Sequence, residues 1–409
     1  MKHIDKIIVS IQQQGKEINV GELVLNNNKI YFKYYLSFIE KDIEISPFHL
    51  PLTDKIITAN VKPFEGLFGV FNDSLPDGWG RLLLDRALIS KDINLNQITP
   101  LDRLSYLGSN GMGALTYKPK TKTNLEFDKK IELDYLHIQM QNVLNNDDID
   151  DIDELFQLGG SSGGARPKIF VGYNPVTNYL IPNQENLPNS YEHWIIKFSN
   201  SNDFIDIANI EYAYYKMALD AGIIMSTSKI FKGKSGKQYF GTKRFDRRDG
   251  NRIHMHSAAG LLNDDFRLSS LDYGHLMDCA FQLEKHIHAY EKVLRLAAFN
   301  VYAHNRDDHS KNFSFLMNQN GTWQLAPAYD LTFSNSSQSM HSTTIAGEGT
   351  TPGREQLLKL AHSFGVKNGN EIIDEVQAVI SKWDIYAGQN DVRKKSIKLI
   401  SKILKGLKD

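Results

Sequence analysis

The sequence predicts an α+β fold in which a β-rich N-terminal domain sits on a bilobal core with a helical C-terminal region. Three observations predict it. Short apolar, β-branched runs separated by turn signals fill roughly the first 60 residues. The middle of the chain alternates strand-like runs, helical runs and glycine-dense turns. Past residue 354 three stretches have the spacing of amphipathic helices. At 409 residues the chain exceeds one ordinary domain. With 41% hydrophobic residues it has the material for a sizeable core, which excludes a disordered chain.

In chain order, Lys6–Ile11 reads as a strand, and Asn26-Asn27-Asn28 reads as a hairpin turn between the apolar runs 22–25 and 30–35. The turn-rich segment Asp73-Ser74-Leu75-Pro76-Asp77-Gly78-Trp79-Gly80 leads into a helix over 81–87, with three successive leucines. Gly108-Ser109-Asn110-Gly111-Met112-Gly113 returns the chain to a strand ending near Tyr117, and 118–123 reads as a linker. The acidic run Asn145–Asp153 lacks the glycine and terminal glutamate of a calcium loop, so it reads as a solvated loop or helix start. Trp194–Phe198 is a strand and 210–219 a helix. Val293–His304 is apolar nearly all round, as a buried helix is. The terminal helices are expected over 354–364, 370–383 and 391–407. The expected domains are 1–120, a linker and acidic segment over 121–150, a catalytic core over 151–385 and a C-terminal helix over 386–409.

Charge and cysteine usage exclude whole classes. Lys+Arg 47 against Asp+Glu 48 leaves a net charge of −1, so a general electrostatic grip on nucleic acid is not expected. The single cysteine, Cys279, forms no internal disulfide and cannot supply a zinc site with two thiolates. No apolar run follows the N-terminus, and none approaches the ~18 residues of a membrane helix. The expectation is a cytoplasmic protein without a membrane partner.

Four segments could carry chemistry. Leu158–Lys168 contains Gly159-Gly160-Ser161-Ser162-Gly163-Gly164, where missing side chains would let backbone amides approach phosphate oxygens. It is not a Walker loop, since Ala165-Arg166 follows where Lys-Ser/Thr is needed. Lys197 ends an apolar strand, and Glu211 opens the following helix, matching the two halves of a kinase-type ion pair. Lys243-Arg244-Phe245 stands where a two-lobed kinase has its hinge. The strongest signal is Asn305-Arg306-Asp307-Asp308-His309-Ser310-Lys311-Asn312. A helix, then Arg-Asp, then four residues, then Asn is a kinase catalytic-loop arrangement, with Asp307 the base and Asn312 a metal ligand. Asn320-Gly321 is a two-residue hairpin signal that would set Asn312 opposite Tyr329 and bring Asp330 to the same open end, a hard-oxygen set suited to Mg²⁺. The histidines allow a rival reading. His254, His256 and His309, with His304, could serve a metal-dependent hydrolase. A third reading is a catalytically dead partner of a DNA-binding repressor.

The order of these segments resembles the HipA-like serine/threonine kinases, the toxins of bacterial toxin–antitoxin pairs. The resemblance covers most of the chain. It is carried by Gly21-Glu22-Leu23, Phe71–Trp79 and Gly111–Leu115 in the N-terminal part. In the core it is carried by Asp307-Asp308-His309-Ser310-Lys311-Asn312-Phe313-Ser314 and Ala328-Tyr329-Asp330. It implies a protein-kinase-like core with ATP and Mg²⁺ as cofactors. Asp307 would be the base, and Asn312 and Asp330 the metal ligands. Lys197, the loop Gly160, Ser161, Ser162, Gly163 and Gly164, and Lys243, Arg244 and Phe245 would bind ATP, with Glu211 as ion-pair partner. Ser161 would be the site of inhibitory autophosphorylation, with Ser162 as the alternative because the usual loop pattern has no such double serine. Arg166-Pro167 also departs from the commoner Gln-Glu. The implied partners are a HipB-like helix-turn-helix antitoxin, which would supply the DNA binding, and a protein substrate, an aminoacyl-tRNA synthetase in studied members.

Overall fold

The computed structural model describes residues 3–120, 130–334 and 339–407. Part of the expected linker, 121–123, lies outside them. The chain divides into two compact units. The first comprises Met1–Asp203, Phe231–His256 and Met317–Gly321; the second comprises Phe204–Ile230, Ser257–Leu316 and Thr322–Asp409. Among the described residues no helix is long and apolar enough to cross a membrane.

In the first unit, β1 (Lys6–Gln13), β2 (Lys16–Asn26), β3 (Lys29–Tyr34), β4 (Ile57–Thr58) and β5 (Leu115–Lys118) form a sheet in the order β4-β3-β2-β1-β5. The hairpin at Asn27-Asn28 forms as expected, both residues adopting the left-handed backbone that a two-residue turn needs. Alternate residues Ile7, Val9 and Ile11 are buried, and Phe32 packs edge-on against Tyr34 and Phe68. Helices α1 (Gly78–Ile89) and α2 (Pro100–Leu107) follow, the second opened by a reciprocal cap between Thr99 and Asp102.

A second sheet runs β7-β6-β8-β10-β9: β6 is Lys168–Tyr173, β7 Leu180–Pro182, β8 Glu192–Lys197, β9 Ser228–Lys232 and β10 Gln238–Lys243. Helices α3 (Leu133–Asn145) and α4 (Ile152–Gly159) cover it. Leu133, Leu136, Met140 and Val143 recur every three or four residues, so α3 presents one apolar face. That face meets Ile169, Val171, Ile196 and Trp79 in one core. The acidic run does start a helix: Asp151 caps α4 by accepting the Glu154 amide at 2.9 Å.

Asp246 ties the glycine-dense piece to this unit. Its carboxylate is wholly buried and accepts Arg244 Nε at 2.9 Å and Nη2 at 2.7 Å, Arg247 Nη1 at 2.7 Å and the Gly113 amide at 2.7 Å. Arg247 also bonds the Gly111 and Gly113 carbonyls, and Arg252, which does not bond Asp246, donates to the same two. Burial alone would raise the Asp246 carboxyl, but the neighbouring guanidiniums outweigh it and hold the group well below the usual carboxylate range.

The second unit is mainly helical: α5 (Ile207–Asp220), α6 (Tyr273–Glu284), α7 (His288–Tyr302), α8 (Arg354–Ser363), α9 (Gly369–Ile380), α10 (Trp383–Gln389) and α11 (Lys394–Lys405). The buried helix expected over 293–304 is α7, which Tyr214 of α5 holds by donating its hydroxyl to the Ala303 carbonyl at 2.7 Å. The helix expected over 370–383 is α9, which stops at Ile380; α10, which was not expected, begins at Trp383, whose ring packs on Tyr214. Asp206 serves the start of α11, accepting the Arg393 amide and the Ser396 hydroxyl at 2.7 and 2.8 Å.

The strands β11 (Ser314–Met317) and β12 (Trp323–Leu325) are neighbours, but their register differs from the sequence expectation. The turn closes from the Gly321 amide to the Asn318 carbonyl, and the Asn318 side chain accepts the Asn320 amide at 2.9 Å. Gln319-Asn320 are therefore its centre rather than Asn320-Gly321, because the Asn318 side chain nucleates the turn one residue earlier. The Ala326 amide bonds the Ser314 carbonyl at 2.8 Å, and Asn312 sits in a 3₁₀ turn, Ser310–Asn312, rather than opposite Tyr329.

Replacing Asp246 by Asn would leave the Arg244 and Arg247 guanidiniums without the carboxylate they bond. Urea unfolding should show a loss of about 3–5 kcal/mol, the cost of stranding buried charge. The same measurement on exposed Arg248→Ala should fall within about 0.5 kcal/mol of the parent. An Asp246→Asn protein of unchanged midpoint would show that the cluster does not hold the unit.

Candidate active site

In the second unit, α7 ends at Tyr302 and the chain reverses through His304, which takes a left-handed backbone, into the Asn305–Asn312 segment. A ladder of buried groups fixes this turn. Asn305 bonds Asn300 at 2.9 Å, Asn300 donates to the Tyr273 hydroxyl at 2.7 Å, and Tyr273 donates to Asp308 Oδ2 at 2.9 Å. Burial pushes the Tyr273 phenol well above its ordinary range, with Asp308 adding to the shift, so it stays a donor. Asp308 also accepts the Ser342 amide at 2.8 Å and pairs with His341 Nδ1 at 2.9 Å, while its carbonyl accepts the Thr343 hydroxyl at 2.6 Å.

The two adjacent aspartates thus have opposite environments. Asp308 is 1% exposed. The Asp307 side chain is 62% exposed, with His309 Nε2 at 3.9 Å from its carboxylate. Asn312 donates its amide to the Asp307 carbonyl at 2.7 Å, which brings two of the expected site residues together and leaves the Asn312 amide oxygen as its remaining acceptor. Asp330 adopts a left-handed backbone. Its neighbour Tyr329 donates to the Lys311 carbonyl at 2.6 Å and contacts the Ser314 hydroxyl at the same distance, so the chain entering Asp330 is fastened beside Asn312. Two aspartates and an asparagine oxygen are the hard donors that a magnesium ion takes.

Glu211 is buried in α5 of this second unit. Lys197 belongs to the first unit, at the end of β8, paired with Lys168 of β6 and Phe240 of β10, its ammonium 5.5 Å from the Phe240 ring. Lys243 pairs with Glu192 at 2.8 Å. Arg244 is buried over the Phe170 ring and committed to Asp246. Phe245 follows it, partly buried.

The glycine-dense loop follows α4 and is not a loose surface segment. Gly160, Ser161 and Ser162 are buried. Ser162 donates to the Gly159 carbonyl at 2.6 Å, whereas the buried Ser161 hydroxyl has no hydrogen-bond partner among the described residues. Lys168, which the sequence reading passed over, donates its ammonium to the Gly163 carbonyl at 2.6 Å. It heads the run Ile-Phe-Val-Gly-Tyr just as Lys197 ends one, and that common pattern of a charge on an apolar strand was the available signal.

Two histidines of the rival reading, His254 and His256, are engaged away from His309 and Asp307. His254 bonds the Ile45 carbonyl at 2.9 Å, and His256 lies between Asp73 at 2.6 Å and the Ser46 hydroxyl at 3.0 Å. Burial lowers His254 to about 4, so it is neutral near pH 7. Among the described residues no group of three or more His, Cys, Asp or Glu side chains is placed to hold a metal.

Residues 160–383 match the model of the HipA-like C-terminal domain, and residues 14–118 match that of the HipA N-terminal domain. Among solved structures the chain is similar to one in the complex of HipA, HipB and operator DNA from the Shewanella oneidensis MR-1 toxin–antitoxin system. The identity is 16%, covering 98% of this chain and 95% of that one, with a TM-score of 0.69. Over 54% of its length, and 93% of the other chain, it also matches the Helicobacter pylori proinflammatory kinase CtkA at 15% identity and a TM-score of 0.33. No curated protein matches. One family model spans more than half of the chain and a second covers its N-terminal part: the protein is a member of the HipA family, with the family's mixed α and β fold.

Proposed function

We propose that this protein is an ATP- and Mg²⁺-dependent serine/threonine protein kinase that acts as the toxin of a toxin–antitoxin pair. The observation that carries the reading is the split between Asp308 and Asp307. A saturated, buried carboxylate pins the loop, and its neighbour is left exposed where it can accept a proton from a substrate hydroxyl. Asn312, oriented through the Asp307 carbonyl, and Asp330 would hold Mg²⁺, which when bound neutralises charge on ATP phosphates. Lys197 would meet a phosphate. The 160–164 loop would offer its backbone amides to the others. Lys243 and Arg244 have their charges engaged by Glu192 and Asp246, so their part in adenine binding would be played by main chain. Glu211 is the proposed ion-pair partner of Lys197. The HipB in the similar complex supports a HipB-like helix-turn-helix antitoxin as partner, with DNA bound by that partner, and the substrate would be a protein, with an aminoacyl-tRNA synthetase as the first to test.

The two aspartates give a paired test. Asp307→Ala should lower phosphotransfer from labelled ATP by at least ~10²–10⁴-fold, the worth of a positioned base, at an unchanged melting temperature. Asp308→Ala should lower stability by about 1–3 kcal/mol for each buried donor it strands, read by urea unfolding. Near-normal transfer by Asp307→Ala protein would remove the assignment.

Lys197→Ala should weaken ATP·Mg²⁺ binding by about tenfold in titration calorimetry, and Lys197→Arg should not fully restore it, because a planar guanidinium replaces a point charge. Equal affinities in all three proteins would take Lys197 out of the site.

After incubation with ATP, mass spectrometry should locate phosphate on Ser161, whose hydroxyl has no partner to give up, in preference to Ser162, which is tied to Gly159. A phosphate would add about −1.5 to −2 charges beside the ATP phosphates and lower ATP affinity. A protein that phosphorylates a substrate while both serines stay unmodified would disprove the self-limitation alone.

A further inference from the structure

Asp77 stands at the N-cap of α1, a helix of 12 residues, yet its side chain makes no capping bond to that helix. An aspartate there is normally worth about 1 kcal/mol to the helix through a bond to its second or third amide. Here Asp77 is buried, and its carboxylate instead accepts the amide of Gly164, 87 residues along the chain. The cap has been redirected onto the glycine-dense loop.

Three further contacts join the same two segments. The Trp79 amide donates to the Gly164 carbonyl at 2.9 Å, so both polar groups of Gly164 are held by the Asp77–Trp79 turn. Gly78 has a positive φ, and a Cβ on it would stand 2.5 Å from the Gly164 carbonyl oxygen. A Cβ on Gly80 would collide with the Ser162 carbonyl oxygen. Asp77-Gly78-Trp79-Gly80 therefore supplies one acceptor, one donor and two positions without side chains, all against the loop. On the other side Lys168 holds the Gly163 carbonyl. The loop carries the opposite feature too: a buried Ser161 hydroxyl without a partner, which favours leaving this position.

We infer that the Asp77–Gly80 turn is the latch of the glycine-dense loop, with Asp77 a positioning residue that keeps the loop amides where ATP phosphates would meet them. The phosphate role of the loop rests on the kinase reading above; the latch itself does not. The turn belongs to the N-terminal part of the chain and the loop to the segment matched by the C-terminal domain model. Any force that shifts the turn is thereby transmitted to the loop.

The test is hydrogen–deuterium exchange of peptides spanning 159–166 in the full chain, without nucleotide. Asp77→Ala should speed exchange of the loop amides by about tenfold or more, the factor set by losing a hydrogen bond to a charged acceptor. Asp77→Asn keeps an oxygen acceptor in place and should stay within about threefold of the parent. Gly80→Ala should open the loop by collision. Thermal melting checks that the variants fold, and α1 should be unaffected by the loss of a cap it does not use. In ATP titration Asp77→Ala should weaken affinity and Asp77→Asn largely restore it. Loop exchange unchanged in both Asp77→Ala and Gly80→Ala overturns the latch. Faster exchange with ATP affinity unchanged overturns its positioning role. A parent protein that does not bind ATP counts against the kinase reading, and the exchange data still decide the latch.

Discussion

Asp308 carries a carboxylate almost wholly out of water, a position that is tolerable only when donors replace the lost hydration. Tyr273, His341 and the Ser342 amide do so, and they come from α6 and from the segment after residue 340. Because these donors must converge on one side chain, the reversal after α7 has little freedom. Asp307, one residue earlier, is turned outward, and Asn312 is drawn back onto the Asp307 carbonyl. The exposed, reactive-looking carboxylate is thus a product of its buried neighbour.

The first unit repeats the principle with charges reversed in number. Two guanidiniums, of Arg244 and Arg247, bond one carboxylate, Asp246, and the donors of Arg247 and Arg252 are taken up by the carbonyls of Ser109, Gly111 and Gly113. Buried charge of this kind is weak evidence for stability in itself, since hydrophobic replacements can match it. What it does supply is register: the glycine-dense segment after α2 can dock in one position only, where its carbonyls meet the fork of each arginine.

The loop over 160–164 depends on a third device, the close approach of two backbones. Gly78 and Gly80 carry no Cβ where one would meet the Gly164 and Ser162 carbonyls, and Asp77 and Lys168 each bind a backbone group of the loop. The same lack of side chains that suits the loop to phosphate oxygens suits it to the turn that holds it.

Much was legible in the sequence, because strands, hairpins and helices are set by periodicity and turn chemistry over a few residues. The Asn27-Asn28 hairpin, the β8 run, the buried α7 and the Arg-Asp-x₄-Asn spacing all follow from local pattern, as does the absence of a disulfide with a single cysteine. Local pattern failed where two signals competed within a few residues. Asn318 nucleated the turn ahead of Asn320-Gly321, and the helix expected to run to 383 stopped at Ile380, with Trp383 opening a further helix against Tyr214. It was silent where function depends on partners far along the chain. Asp307 and Asp308 are chemically identical neighbours, and nothing local separates them. Only the arrival of Tyr273 and His341 buries one and leaves the other exposed. Asp77 likewise reads only as part of a turn-rich segment, and its carboxylate goes to Gly164, 87 residues away. Composition and spacing determined which residues were available for chemistry; long-range burial and hydrogen bonding decided which of them face solvent, because the cost of an unpaired buried charge is settled only when the whole unit closes around it.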